Sequence, residues 1–520
     1  MRQPLETAAR QCSSHGQVFA LSLLSPHTAR DRRTELRERL ERRMGKLVSK
    51  SWQESKLLWH IAFPAILTAV FQFSIGFVTV GFVGHIGQVE LAAVTVVENV
   101  IEGFAYGVLL GMGSALETLC GQAVGAGQVE MLGVYIQRSW LICIATAAAL
   151  APTYVFTAGI LRGLRQPGDI ADVAGRYTRW VIPQLFAYAA NFPLQKFFQS
   201  QSKVWAMTFI SGAALALHVV LNYVFLTRLG HGLVAAALVG NLTWWLIILA
   251  QFAYLVSGCF PDAWKGFSML AFKNLTAFVK LSLASAVMLC LELWYYTAVL
   301  ILVGLLKNAK LQVDVMSVCI NYQLWTLMVA LGFNAAVSVR VSNELGANRP
   351  KAAKFAVAMA VSTSAFIGAI FMAVFFIWRK QLPRFFSDDA DVLREAAKLG
   401  FLLAGTIFLN SIQPVLSGVA IGAGWQSLVA FINIGCYYLV GIPLGVLFGF
   451  KLKLNAMGIW VGMSLGTLLQ TAILAFISFR TKWERQAMLA EERIREWGGR
   501  NDDALPSTTS TADNENNVDR

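Results

Sequence analysis

The 520-residue chain predicts an all-α polytopic membrane protein with twelve transmembrane helices in two six-helix lobes. Three observations carry that expectation. The first is composition: 56% of residues are apolar, 14% are charged, and the mean hydropathy is +0.56. A soluble domain carries about 25% charged residues. The second is a series of twelve apolar runs of roughly 20 residues or more, each long enough to cross a hydrocarbon core as a helix. The third is that the membrane part is written twice. GMGSALETLCGQAVGAG from Gly111 lies over GFNAAVSVRVSNELGAN from Gly332 at a shift of 221. That shift pairs Gly111 with Gly332, Ala115 with Ala336, Gly125-Ala126 with Gly346-Ala347, and Pro193 with Pro414. A shift of 226 pairs Gly232 and Gly240 with Gly458 and Gly466. Small residues and prolines at matched places in two apolar halves fit a repeat-built membrane protein whose site lies between the repeats.

The runs are 58–83, 91–118, 132–158, 177–196, 204–226, 232–257, 277–305, 313–338, 353–378, 396–420, 427–450 and 455–479. Backbone polar groups in lipid must be satisfied within a segment, which leaves helices or a closed barrel, and short alternating strands are absent from the pattern. Six spans per repeat is an even number, so both repeats start on the same side and are related by a pseudo-two-fold axis along the membrane normal. The chain then divides into a basic N-terminal extension (1–50), an N-terminal lobe (51–265), a C-terminal lobe with its linker (266–481), and a tail (482–520) expected to be disordered from about 498.

Sidedness rests on the termini. The loops hold basic residues on both sides: Lys196, Lys203, Lys265, Lys273, Lys280, Arg349, Lys351 and Lys354 against Arg162, Arg165, Arg228, Lys307, Lys310, Arg379, Lys380, Arg384, Lys451 and Lys453. Arg30 to Lys56 is densely basic, and Arg480, Lys482 and Arg485 follow the last run. The positive-inside rule places both ends in the cytoplasm. The net charge of +13 is read as anchors near anionic lipid, with no nucleic-acid partner implied. Within the extension, DRRTELRERLERR (31–43) has helical charge patterning. VFALSLL from Val18 is too short for a span and has the length of a signal-peptide core. Seven scattered cysteines form neither a disulfide framework nor a zinc site, so no metal is expected. The Asn-Leu-Thr sequons at Asn241 and Asn274 fall in a span and a cytoplasmic loop, where glycosylation is not expected.

A GxxxxGK[ST] phosphate loop, a His–Glu metal helix and a GxSxG elbow are all missing from the sequence. An enzyme, and an ATP-driven pump in particular, is therefore not the reading; no cofactor is expected, and an ion gradient is the economical energy source. Such coupling needs an ionisable group inside the membrane. Glu292 is the strongest candidate, with about ten apolar or small residues on either side. A carboxylate at that depth must be neutral, paired or facing a watery cavity. The bland alternative is a carboxylate locked to a neighbouring Arg or Tyr. Trp294, Tyr295 and Tyr296 follow it, as packing or as a substrate platform. Glu117, Arg340 and Glu344 lie about a turn from a cytoplasmic boundary, beside the paired Gly-Ala motifs, and read as a charge cluster closing the inner side of a cavity. Gln72, Asn222, Tyr322, Asn334, Asn410, Gln413 and Asn433 are deep polar residues. Singly each suits interhelical hydrogen bonding; together they imply a polar-lined cavity. His218 and Gln323 belong to the same set, His218 as a satisfied core residue or a proton shuttle.

The segments ALETLCGQAVGAGQVEMLGVYIQRSW, GFNAAVSVRVSNELGANRPKAAKF and LNSIQPVLSGVAIGAGWQ resemble the signature segments of plant multidrug and toxic compound extrusion (MATE) transporters, the DETOXIFICATION proteins. The resemblance runs from Trp52 to about Arg485. It implies twelve spans in two lobes around a V-shaped cavity, and export of organic compounds in exchange for protons or sodium, mostly protons in plants. The family's seventh-span acid matches Glu292. Some members carry a tenth-span acid in a segment like LDS; here it reads Leu409-Asn410-Ser411, which puts a two-acid relay in doubt. AVGAGQVEMLGVYIQRSW is similar to a branch that includes vacuolar flavonoid transporters. The expectation is a monomeric proton antiporter for aromatic or other organic compounds, in the vacuolar rather than the plasma membrane. Two alternatives stay open: a lipid or polysaccharide flippase of the same superfamily, and a channel or receptor without coupled exchange.

Overall fold

The computed structural model describes residues 26–273, 275–306, 309–386 and 389–496. The segment VFALSLL, the tail beyond 498, Asn274 and Lys307 lie outside the described residues. Among the described residues every regular element is helical. Twelve are long: α1 (Pro26–Val83), α2 (Gln88–Gly125), α3 (Val129–Val155), α4 (Gly168–Ser200), α5 (Val204–Arg228), α6 (Gly232–Val256), α7 (Leu275–Gly304), α8 (Ala309–Gly346), α9 (Pro350–Ile377), α10 (Ala390–Ala423), α11 (Gln426–Lys451) and α12 (Asn455–Arg480). The chain divides after Leu57 into two compact units. The first holds the charged start of α1; the second, from Leu58, holds the other helices, their cores and the intramembrane charges.

Each apolar run coincides with one long helix. The helices are longer where polar sequence continues the turn: α4 starts at Gly168 rather than 177, and α8 continues to Gly346 rather than 338. Hydropathy registers the part in lipid, whereas backbone hydrogen bonding carries the helix on past it. Among the described residues eleven helices are long and apolar enough to cross a membrane by composition alone. The twelfth is α4, which carries Arg176, Arg179 and Lys196. Its buried residues include Tyr177, Gln184, Tyr188, Asn191, Gln195, Lys196 and Gln199, so it is polar because its neighbours are protein rather than lipid.

The repeat is written into the backbone more clearly than into the side chains. Left-handed residues end or start corresponding helices: Gly127 and Asn348, Ser202 and Gly424, Gly230 and Lys453, Gly232 and Asn455. Their offsets are 221, 222, 223 and 223. The shift of 226 inferred for the sixth span of each repeat is thereby corrected to 223; three residues is close to one helical turn, which kept the same face in view.

Packing is reciprocal as well. Gly111 of α2 sits on Ala286 of α7, and Gly332 of α8 sits on Ile66 of α1. Gly125 lies against the Asn343 carbonyl, and Gly346 against the Gln122 carbonyl. A methyl group at either glycine would collide with backbone, so only glycine lets α2 and α8 approach this closely. Residue i touching j′ while i′ touches j is the signature of two-fold related surfaces. With little hydrophobic drive between helices in lipid, such small-residue contacts are what hold them together.

Candidate functional site

α7 sets Glu292 facing α10. Glu292 is partly buried; its Oε1 accepts from Gln413 Nε2 at 2.9 Å, and its Oε2 is shielded without a partner. The same amide is 3.2 Å from Ser417 Oγ. Tyr296, one turn on from Glu292, lies beside Asn410 and Gln323 and within the field of the carboxylate. Both polar atoms of the Asn410 side chain and Oε1 of Gln323 are buried and unpartnered. Five polar side chains from three helices thus meet around one carboxylate, with hydrogen-bonding capacity to spare. The residue that holds Glu292 is a neutral amide, and among the described residues no arginine pairs with it.

The other cavity candidates are placed elsewhere. Trp294 stacks on Phe104 of α2, centroids 5.3 Å apart; two residues is about 200° around a helix, so it faces away from Glu292. Tyr295 is 1% exposed, donates to the Met463 carbonyl and stacks on Tyr437 at 4.4 Å. Tyr322 donates to the Leu382 carbonyl between Phe375 and Phe386. Asn334 donates to the Pro414 carbonyl, joining α8 to α10. Asn433 donates to the Met288 carbonyl and accepts from Gln470. Gln72 accepts from Gln195 at 2.8 Å and approaches Ser211, and Asn222 donates to its own helix at the His218 carbonyl. His218 is bracketed by Thr79 and Thr243 at 3.0 and 2.8 Å, as a satisfied core residue is. Most of these amides and phenols therefore tie helices together. A sequence shows that a polar residue is deep, but not which way round the helix it points.

The expected charge cluster resolves into ion pairs. Glu117 of α2, buried, pairs with Lys196 of α4 at 2.7 Å. Glu344 is held by Arg340 at 2.7 Å and Arg349 at 2.9 Å. Between them the two repeats close on each other: Thr118 Oγ1 donates to the Ile421 carbonyl at 2.6 Å, Gln122 donates to that of Gly422, and the Asn343 carboxamide lies 3.4 Å from the Ser200 carbonyl.

The MatE family profile matches residues 64–224 and 284–447. The chain is 51% identical over 459 residues to Protein DETOXIFICATION 33 of Arabidopsis thaliana, covering 87% of this chain and 95% of that protein. It is 52% identical over 446 residues to Protein DETOXIFICATION 29 of the same plant, covering 86% and 89%. The structure superposes on the crystal structure of the eukaryotic MATE transporter AtDTX14 with a TM-score of 0.82 at 32% identity, over 85% of this chain and 99% of that one. This chain belongs to the MatE family. It is a multi-pass membrane transporter with the MATE fold, twelve helices in two six-helix lobes.

Two features of this MATE transporter were not foreseen from its sequence. One is a pair of acids in α2, Glu98 and Glu102, within a run that reads as an ordinary apolar span. The signal was present, since ENVIEG places two carboxylates four residues apart inside that run. The other is α13 (Trp483–Glu496), which the apolar runs cannot show because the segment is strongly charged. Its buried residues Trp483, Ala487, Ala490 and Ile494 recur at helical spacing. Arg493 donates to the Ala423 carbonyl at the end of α10 and lies 3.5 Å from Gln122 of α2, and Gln486 accepts from Trp425.

Proposed function

We propose that this transporter is a secondary active antiporter that moves organic metabolites or xenobiotics, flavonoid-like or otherwise aromatic, out of the cytoplasm in exchange for protons. The observation that carries the reading is Glu292: an intramembrane carboxylate held through one oxygen by a neutral amide, the other oxygen unpartnered, among polar atoms with unused capacity. A structural carboxylate would be locked in a salt bridge. One that loads and unloads a proton needs a partner that tolerates both forms, and an amide does. Protonation would favour one arrangement of the lobes and ionisation the other. A proton shifts that balance only as far as its affinity differs between them; a tenfold difference supplies about 1.4 kcal/mol. The contacts of Gly125 and Gly346 are then the inner closure, and rocking the lobes apart there would open the cavity to the cytoplasm. The reading takes both termini as cytoplasmic, which the basic flanks support, and the vacuolar membrane over the plasma membrane.

The test is uptake into proteoliposomes under an imposed pH gradient, with a panel of flavonoids, alkaloids and citrate. Substrate moving against the proton flow, and accumulating only while the gradient lasts, supports the reading. Flux indifferent to the pH gradient, or driven equally by sodium at constant pH, overturns it.

A further inference from the structure

The N-terminal lobe holds an intramembrane carboxylate that the Glu292 mechanism does not use. Within α2 the turn Val97–Glu102 is widened to a π turn, its last carbonyl bond running from the Gly103 N–H to Glu98. Such widened turns are frequent at functional sites. Here the turn carries Glu98 and Glu102 four residues apart, and buries Glu102 to 8% exposure. Oε2 of Glu102 accepts from Gln184 Nε2 at 3.3 Å; Oε1 is buried without a partner. The Gln184 amide is also 2.5 Å from the Tyr188 hydroxyl, which lies beside Glu102. A second, independent group has no partner either: the hydroxyl of Tyr154 on α3, fully buried and in the field of Glu102.

The groups facing this acid are Glu98 and Tyr106 on α2, Tyr154 on α3, and Tyr177, Gln184 and Tyr188 on α4. α1 presents Gly76 to the Glu98 carboxylate, α6 presents Gly240 behind Gln184, and α7 meets this stretch through Trp294 on Phe104. None of these residues is cationic. Two carboxylates on neighbouring turns among apolar groups and phenols cannot both stay charged without a cation beside them. The donors suit the smallest one. Ionised, Glu102 accepts from Gln184, with the Tyr188 hydroxyl beside it and the unpartnered Tyr154 hydroxyl nearby. Protonated at Oε1, it has phenol oxygens nearby that can serve as acceptors, because a phenol serves either role.

We infer that Glu102, with Tyr154 and Gln184, is a second exchangeable proton-binding site, in the N-terminal lobe and separate from Glu292. Glu102 lies about 21 Å along α2 from Gln88, and Glu292 about 18 Å along α7 from Gly304. On the twelve-span topology those two ends share the non-cytoplasmic face, so both acids load from the same acidic compartment. Use of the site in exchange rests on the proton-antiport reading; the existence of the site does not.

The experiment is infrared difference spectroscopy of the reconstituted full-length protein across pH steps, in the protonated-carboxyl region, for wild type, Glu102→Gln, Glu292→Gln and Tyr154→Phe. The expected result is two titrating carboxyl bands, one lost in each Glu→Gln variant, with Tyr154→Phe shifting only the Glu102 band. Coupling ratios from reversal potentials then fall about twofold in Glu102→Gln, since each titrating site that changes occupancy carries one proton. Tyr154→Phe removes one oxygen and keeps the ring, so it reports on the site even if Glu102→Gln folds poorly. A Glu102→Gln spectrum matching wild type, a Tyr154→Phe spectrum without a shift, or a band that answers to sodium but not to pH overturns the inference. Loss of the Glu292 band alone from the substrate-driven spectrum would leave the second site standing while the antiport reading fell.

Discussion

The two lobes solve the same packing problem with different chemistry. In the N-terminal lobe α1 meets α4 through two amides, Gln72 accepting from Gln195. In the C-terminal lobe the corresponding helices, α7 and α10, meet through Glu292 accepting from Gln413. The joints between helices match to within two residues of offset, yet the acid stands on only one side. The N-terminal lobe carries its own unpaired acid on α2 instead, and the repeat position of Glu102 on α8, at a shift of 221, is Gln323. Duplication thus supplies the frame, while ionisable groups are placed lobe by lobe. A pair of neutral amides ties helices at any pH, whereas an amide and an acid make a tie that answers to protons.

Removing the difference outright should have the largest effect. Glu292→Gln converts the α7–α10 tie to the amide pair already present between α1 and α4. Gradient-driven transport should drop to the level of empty liposomes at equal reconstitution, with the protein still folded, since a buried ionisable group is not needed for stability. Undiminished proton-coupled exchange would send the search to Glu102.

The ion pairs sharpen the comparison in stability rather than in flux. Glu117 has Lys196, whose side chain is 11% exposed; Glu344 has two arginines, of which Arg349 is 65% exposed. Lys196→Met leaves a buried carboxylate without its cation and is expected to cost on the order of 3–5 kcal/mol. Arg349→Met is expected to cost less than about 1 kcal/mol, as an exposed pair with a second cation in place. Thermal unfolding in detergent separates them, and equal shifts would mean that the second arginine gives Glu344 no protection.

Gly346→Val forces a side chain against the Gln122 backbone, and overpacking of this kind costs about 1–3 kcal/mol. Under the proposed mechanism the contact belongs to the closed inner side, so crosslinking between cysteines introduced at this face should fall while the fold persists. The smallest effect belongs to the amide tie: Gln195→Leu should cost only about 0.6 kcal/mol, the average for a hydrogen bond between membrane helices. A loss comparable to that of Lys196→Met would show that Gln72 does more than join α1 to α4.

What the sequence made legible follows from what periodicity can encode. Long apolar runs located every transmembrane helix, α4 included, although its charged and amide side chains lower its hydropathy below that of the other eleven. The glycine pairs at a shift of 221 identified the surfaces on which the repeats meet, because close backbone approach leaves few other residues possible. Direction around a helix was not legible. Trp294 and Glu292 are two residues apart in the chain and face opposite ways, and Asn433 and Tyr322 spend their polar atoms on backbone carbonyls far away in sequence. Glu102 was overlooked because it lies in an otherwise apolar run, and Tyr154, Tyr177 and Tyr188, which surround it, come from helices more than fifty residues on. Arg493 belongs to a segment whose charge reads as solvated until its partner surface is present.

That last residue has a consequence for how the molecule reports its own state. Arg493 touches the end of α10 in one repeat and Gln122 of α2 in the other, so α13 is docked across the seam between the repeats, which under the proposed rocking mechanism parts when this face opens. Docking and closure are therefore linked equilibria, each raising the other by the same free energy. A covalent change on α13 that weakens its hold, such as a phosphate on an introduced serine, would retune the conformational balance from outside the membrane. In the other direction, the rate at which a protease cuts α13 becomes a clock for the opening of the lobes.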